Sequence, residues 1–129
     1  MAVRGRQNVW KEQARDGNHL NFLTGAGGFL QNVMQGYGGL RARSDRVDWN
    51  PLLPPHISTV RFVRLSYAGS VYSLSYTATQ ATLEVHSGPS LSVCSPIGSS
   101  GPQDCFAVGA GAPATLSVGG FSLRLASSQ

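Results

Sequence analysis

The apolar residues of this chain change their spacing once, and that change constrains the architecture most. Phe29, Leu30, Val33, Met34 and Tyr37 recur at the spacing of one face of a 3.6-residue helix. From His56 onward the period becomes two. In Val60–Tyr67, Arg61, Val63, Leu65 and Tyr67 fall on one side, and Val60, Phe62 and Arg64 on the other. Residues 71–76 place Tyr72, Leu74 and Tyr76 on one face, and residues 81–85 alternate again. Ala68-Gly69-Ser70 between the first two runs reads as a hairpin turn. Weaker strands at 91–94 and 105–108 and two more at 114–118 and 121–125 complete the pattern. Between the two regimes, Asp45, Asp48, Asn50-Pro51 and Pro54-Pro55 cannot extend a helix, so residues 44–55 read as a linker. The short antiparallel strands of residues 56–129 predict a small β-sandwich, giving an α+β chain with a helical segment at its front.

The helix carries an unusual head. Thr24 is a suitable N-cap, because its hydroxyl can accept from a backbone N–H of the first turn. Gly25, Gly27 and Gly28 follow at once, where each glycine costs about 1 kcal/mol relative to alanine. Such a cost is offset where something must approach the backbone closely. The exposed N–H groups of a helix start can also receive an oxyanion or a hydroxyl-rich ligand. As a nucleotide cradle the run fails, since it lacks the P-loop lysine and no strand precedes it. The simpler reading is close packing on a neighbouring element. Gly36, Gly38 and Gly39 supply the stop.

Composition narrows the function. Only 12% of residues are charged, against about 25% in an ordinary soluble domain, so part of this surface is expected to be covered by other protein. The net charge of +4 comes from scattered arginines that are not interleaved with aromatics, which argues against nucleic acid. His19, His56 and His86 lack ligand spacing, and two cysteines make neither a metal site nor a disulfide framework. No cofactor or metal is expected. No apolar core of a signal peptide follows Met1, and no apolar run reaches membrane-spanning length. With unpatterned Cys94 and Cys105, the compartment reads as intracellular and cytoplasmic.

The six carboxylates are Glu12, Asp16, Asp45, Asp48, Glu84 and Asp104. Asp16, Asp45, Asp48 and Asp104 fall in turn or loop sequence, where capping explains them. Glu84 alternates outward from Leu83 and Val85. Glu12, two residues after Trp10, has no evident structural task. Tyr67, Tyr72 and Tyr76 offer either a sugar-stacking face or core.

The stretches Val9-Trp10-Lys11-Glu12, Asn21-Phe-Leu-Thr-Gly-Ala-Gly-Gly-Phe-Leu-Gln31, Gly36-Tyr-Gly-Gly-Leu-Arg41 and Leu52-Leu-Pro-Pro-His-Ile-Ser-Thr-Val-Arg-Phe62 resemble the C-terminal part of glycoside hydrolase family 65. The resemblance covers roughly residues 8–85 and stops near Ser87. It implies that residues 1–43 end an (α/α)6 barrel that holds the catalytic site, and that residues 56–129 form a sandwich after it. It implies inverting hydrolysis of an α-glucoside, the glucosyl-galactosyl-hydroxylysine unit of collagen. That reaction needs two carboxylic groups about 6.5–9.5 Å apart. Glu12 falls where such hydrolases carry the general base, and the general acid belongs to barrel sequence upstream. Phosphorylases of the family carry a histidine in the loop corresponding to Asn21–Gly25, and its absence here points to water as acceptor. Trp10, Thr24, Gly25, Gly27 and Gly28 are the implied pocket residues. The alternative is a non-catalytic sandwich that is structural or contacts carbohydrate.

Overall fold

The computed structural model describes residues 23–97 and 104–126. Helix α1 spans Leu23–Gln31 and runs directly into a π-helical stretch, Asn32–Tyr37. Thr24 therefore lies within the helix and is not its cap. The wider winding persists into the exit, where the N–H of Gly38 donates to Val33 O at 2.9 Å and that of Leu40 to Met34 O at 3.1 Å. Gly39 supplies the left-handed residue of the stop, with φ of 64°.

Among the described residues nine strands follow: β1 Arg41–Ala42, β2 Val47–Trp49, β3 Val60–Tyr67, β4 Ser70–Tyr76, β5 Gln80–Ser87, β6 Leu91–Ser95, β7 Asp104–Val108, β8 Ala114–Ser117 and β9 Phe121–Leu125. They form two antiparallel sheets, ordered β1-β2-β9-β6-β7 and β3-β4-β5-β8. Their inner faces enclose one core that includes Trp49, Tyr72, Leu74, Tyr76, Leu83, Leu91, Phe121 and Leu123. The weak strand signals at 91–94 and 105–108 correspond to β6 and β7. The turn between β3 and β4 has φ of 51° at Ala68 and 84° at Gly69. Two positive φ values at the centre of a two-residue turn match the twist of the strands it joins.

Three sequence expectations need correction. Residues 44–55 are not simply a linker. Val47-Asp48-Trp49 form β2, all three buried, and pair with β9. Turn-forming residues on both sides hide so short a strand, and its partner lies more than seventy positions away in sequence. The alternation in β3 breaks at a bulge. Phe62 opposes Leu74 and Leu65 opposes Tyr72, so Val63 and Arg64 together face Ser73 alone. One extra residue reverses every later side chain, and Phe62, Leu65 and Tyr67 all turn inward. Arg64 takes φ of 54° there. Third, Cys94 and Cys105 are directly opposed in β6 and β7 and form a disulfide. That removes the ground on which the cysteines were read as intracellular, since disulfides persist in oxidising compartments.

Helix and sandwich meet at Gly38. A Cβ there would lie 2.5 Å from Met34 O and 3.1 Å from the rings of Phe62 and Trp49. The N–H of Leu52 donates to Tyr37 O at 2.7 Å, and Arg41 Nη1 donates to Gln35 O at 2.7 Å and to Leu40 O at 2.8 Å. Two of the last helical carbonyls, those of Gln35 and Tyr37, which an isolated helix leaves to water, are thus taken up by the first strand and by the loop after β2.

Candidate functional site

Alternation in β2 sends Val47 and Trp49 into the core and Asp48 to the opposite face. Asp48 is nevertheless only 3% exposed. Arg43 Nε holds Oδ2 at 3.0 Å, and Arg46 Nε holds Oδ1 at 2.9 Å. Arg46 Nη1 also reaches Asp45 at 3.3 Å. The Arg46 guanidinium is held protonated beyond its ordinary range, first by its hydrogen bond to Asp48 and then by that carboxylate's charge. Sequence reasoning placed Asp48 in a turn and missed this cluster. The legible signal is a carboxylate between two large apolar residues, with arginines two and five positions before it.

Beside the cluster lies a cleft of about 600 Å³. The helix exit at Gly36 and Gly39 forms one wall, Arg41, Arg43 and Asp48 a second, and Ile97 with Gly120 a third. Among the described residues its one carboxylate is Asp48, already engaged by two guanidinium groups. An inverting hydrolase needs a proton donor and a separate base, and the described residues of this cleft do not supply them.

A second constellation lies on the outer face of the other sheet. Ser73 sits between two bulges, one at Val63–Arg64 in β3 and one at His86 in β5. Its Oγ accepts the N–H of Arg64 at 3.3 Å and lies 2.7 Å from His86 Nε2. Glu84 Oε1 is 3.9 Å from His86 Nδ1, and Arg61 Nη2 is 3.7 Å from Glu84 Oε2. The order serine, histidine, carboxylate is that of a hydrolase triad. Ser73 is only 3% exposed, however, and its oxygen already serves Arg64. A nucleophile must meet its substrate, so this hydroxyl pins the two bulges.

The sugar-stacking reading of the tyrosines is corrected. Tyr72 and Tyr76 are 2% and 1% exposed and belong to the core. Burial pushes the Tyr72 phenol up to about 12. The Trp49 indole beside it opposes that rise, although its N–H closes no hydrogen bond of standard geometry.

Glu12 and Trp10 lie outside the described residues. Thr24 and Gly25 sit in the first turn of α1, with Gly27 and Gly28 one turn further on. A Cβ at Gly27 or Gly28 would meet nothing within 4 Å. Among the described residues, then, no neighbour explains these two glycines. The apolar face of the helix is likewise uncovered among them, with Phe29 at 53% and Leu30 at 61% exposure. Leu52, adjoining the helix end through its bond to Tyr37, is 68% exposed. No helix among the described residues is long and apolar enough to cross a membrane.

Residues 40–95 match the family model of the glycosyl hydrolase family 65 C-terminal domain. The chain is 38% identical over 77 residues to protein-glucosylgalactosylhydroxylysine glucosidase of Dictyostelium discoideum, covering 60% of this chain and 11% of that protein. The Mus musculus protein of the same name is 39% identical over 77 residues, 60% of this chain and 11% of that protein. The Gallus gallus protein is 35% identical over 81 residues, 63% of this chain and 12% of that protein. No solved structure matches the chain. The resemblance to the C-terminal part of glycoside hydrolase family 65 therefore stands, and the match covers only 11–12% of the length of these curated relatives.

Proposed function

We propose that this chain is the C-terminal portion of an inverting α-glucosidase that removes glucose from the glucosyl-galactosyl-hydroxylysine of collagen. The observation that carries the reading is the match of residues 40–95 to the family's C-terminal domain, together with relatives that bear that activity in their name. The uncovered face at Phe29, Leu30 and Leu52 supports it, because a helix that closes a larger helical domain would bury such a face. In this reading residues 1–43 end the catalytic barrel and the sandwich holds that end in place. Glu12 is the general base that activates water, and the general acid comes from the remainder of the enzyme. Trp10, Thr24 and the backbone of Gly25, Gly27 and Gly28 border the sugar pocket. The chain alone lacks the second carboxylic group and does not turn over substrate.

The test uses both forms of the protein. The 129-residue chain is assayed with glucosyl-galactosyl-hydroxylysine and is expected to release no glucose. In the enzyme with its complete helical domain, Glu12→Gln should lower kcat by about 100- to 10,000-fold while circular dichroism stays unchanged. Hydrolysis by the chain alone would refute the division of labour, and unchanged turnover in the variant would refute the base.

A further inference from the structure

We infer that the cleft beside β1 is a binding site for a small molecule bearing a multiply charged oxyanion, such as a phosphate or a polycarboxylate. Its volume of about 600 Å³ lies within the usual range for small ligands, about 300–1,000 Å³. The argument rests on which polar groups there remain unspent. Arg41 uses Nη1 on the carbonyls of Gln35 and Leu40, which leaves Nε and Nη2 to donate. Arg43 uses Nε on Asp48 and keeps both terminal nitrogens. Asn50 adds an amide to the lining. The single acid is engaged on both oxygens, one of them by Arg46.

What is left among the described residues is a mainly donating set with an excess of positive charge and no uncommitted carboxylate. A neutral sugar binds best where donors and acceptors are mixed. Two guanidinium forks outweigh the single amide of Asn50, which both donates and accepts, and such a donor-rich set favours an oxyanion, which accepts paired N–H bonds. Arg41 is already anchored by two carbonyls, so it loses little freedom on binding. Strand alternation keeps Arg41 and Arg43 on one face beside Asp48, the registered partner of Arg41. None of this depends on the glycosidase reading.

The experiment is a titration of the isotope-labelled 129-residue chain, followed by amide NMR, with sodium phosphate and separately with sodium citrate at constant ionic strength. The expected result is saturable displacement of the Gly39, Arg41, Arg43 and Gly120 signals by at least one probe. Saturation by phosphate alone assigns a phosphate ligand, and saturation by citrate alone a polycarboxylate. Arg41→Gln should raise the apparent Kd about tenfold, and Arg41→Lys, which keeps the charge and loses the fork, should recover part of that. Displacements that rise linearly with both probes, or that are equally large around the exposed Arg61 and Arg64 of the other sheet, would overturn the site. So would wild-type affinity in a folded Arg41→Gln chain.

Discussion

The two sheets are assembled in opposite ways. In the β3-β4-β5-β8 sheet, three consecutive strands join neighbour to neighbour, and the first connection is a two-residue turn. In the other sheet the central strand, β9, comes from the far end of the described chain and sits between β2 and β6. The family match ends at residue 95, so it includes β1 to β6 and stops before β7, β8 and β9. Strands outside the recognised domain therefore supply Phe121 and Leu123, which are 1% and 0% exposed at the centre of the core. Three strands of one sheet are joined by local contacts, with β8 added at its edge from beyond the match, whereas the other sheet has its central strand supplied by sequence the family model does not describe.

Cutting the chain after Val118 tests this most severely. It removes β9 with two fully buried side chains, each worth about 2–5 kcal/mol, and leaves β2 and β6 with open edges. The expected outcome is loss of cooperative thermal unfolding and of the near-ultraviolet signal. A cooperative transition near the wild-type midpoint would show that β9 is dispensable.

A smaller effect is expected at the edge of the same sheet. The disulfide closes a loop with a sequence separation of 11, which corresponds to about 3 kcal/mol in the chain-entropy account. Cys105→Ala, compared with wild type under oxidising conditions, should lower the urea midpoint accordingly. Identical midpoints would mean that the bond does not form or constrains nothing.

Ser73→Ala should cost least, about 1–2 kcal/mol, because it deprives Arg64 N–H and His86 of one hydroxyl. Its real use is in combination. Ser73 lies on the outer face of one sheet and the disulfide lies in the other. The double variant Ser73→Ala/Cys105→Ala should therefore sum to within about 0.5 kcal/mol. A larger discrepancy in equilibrium unfolding would show that the sheets are coupled beyond their shared core.

The same contrast explains what could be read from the sequence. Tyr72, Leu74 and Tyr76 alternate in an uninterrupted strand, and the structure buries all three. The β3 pattern misled because a bulge leaves no mark in hydrophobic periodicity, and Val63-Arg64 reads as two ordinary strand residues. The β2 strand was hidden because three residues flanked by Asp45 and Asn50-Pro51 carry no period of their own. Pairing with β1 and β9 makes them a strand. The cysteine pair was visible, but its opposition required the β6–β7 register. Of the site, Arg41, Arg43 and Asp48 were legible as residues but not as a group, since a cleft between a helix exit and two strands is a tertiary property. Glu12 and Trp10 rest on family resemblance alone.

Gly38 gives the junction a mechanical character. Helix and sheet touch there with no space for a side chain, and two hydrogen bonds, from Leu52 N–H to Tyr37 O and from Arg41 Nη1 to Gln35 O, tie the helix end to the chain that follows it. Hinges need residues free to absorb a change of backbone angle, and this joint offers little slack. The helix is therefore a handle on the sandwich. A load applied at Phe29 or Leu30 is delivered as torque to Trp49 and Phe62, and whatever grips the handle also sets the tilt of the sheets behind it.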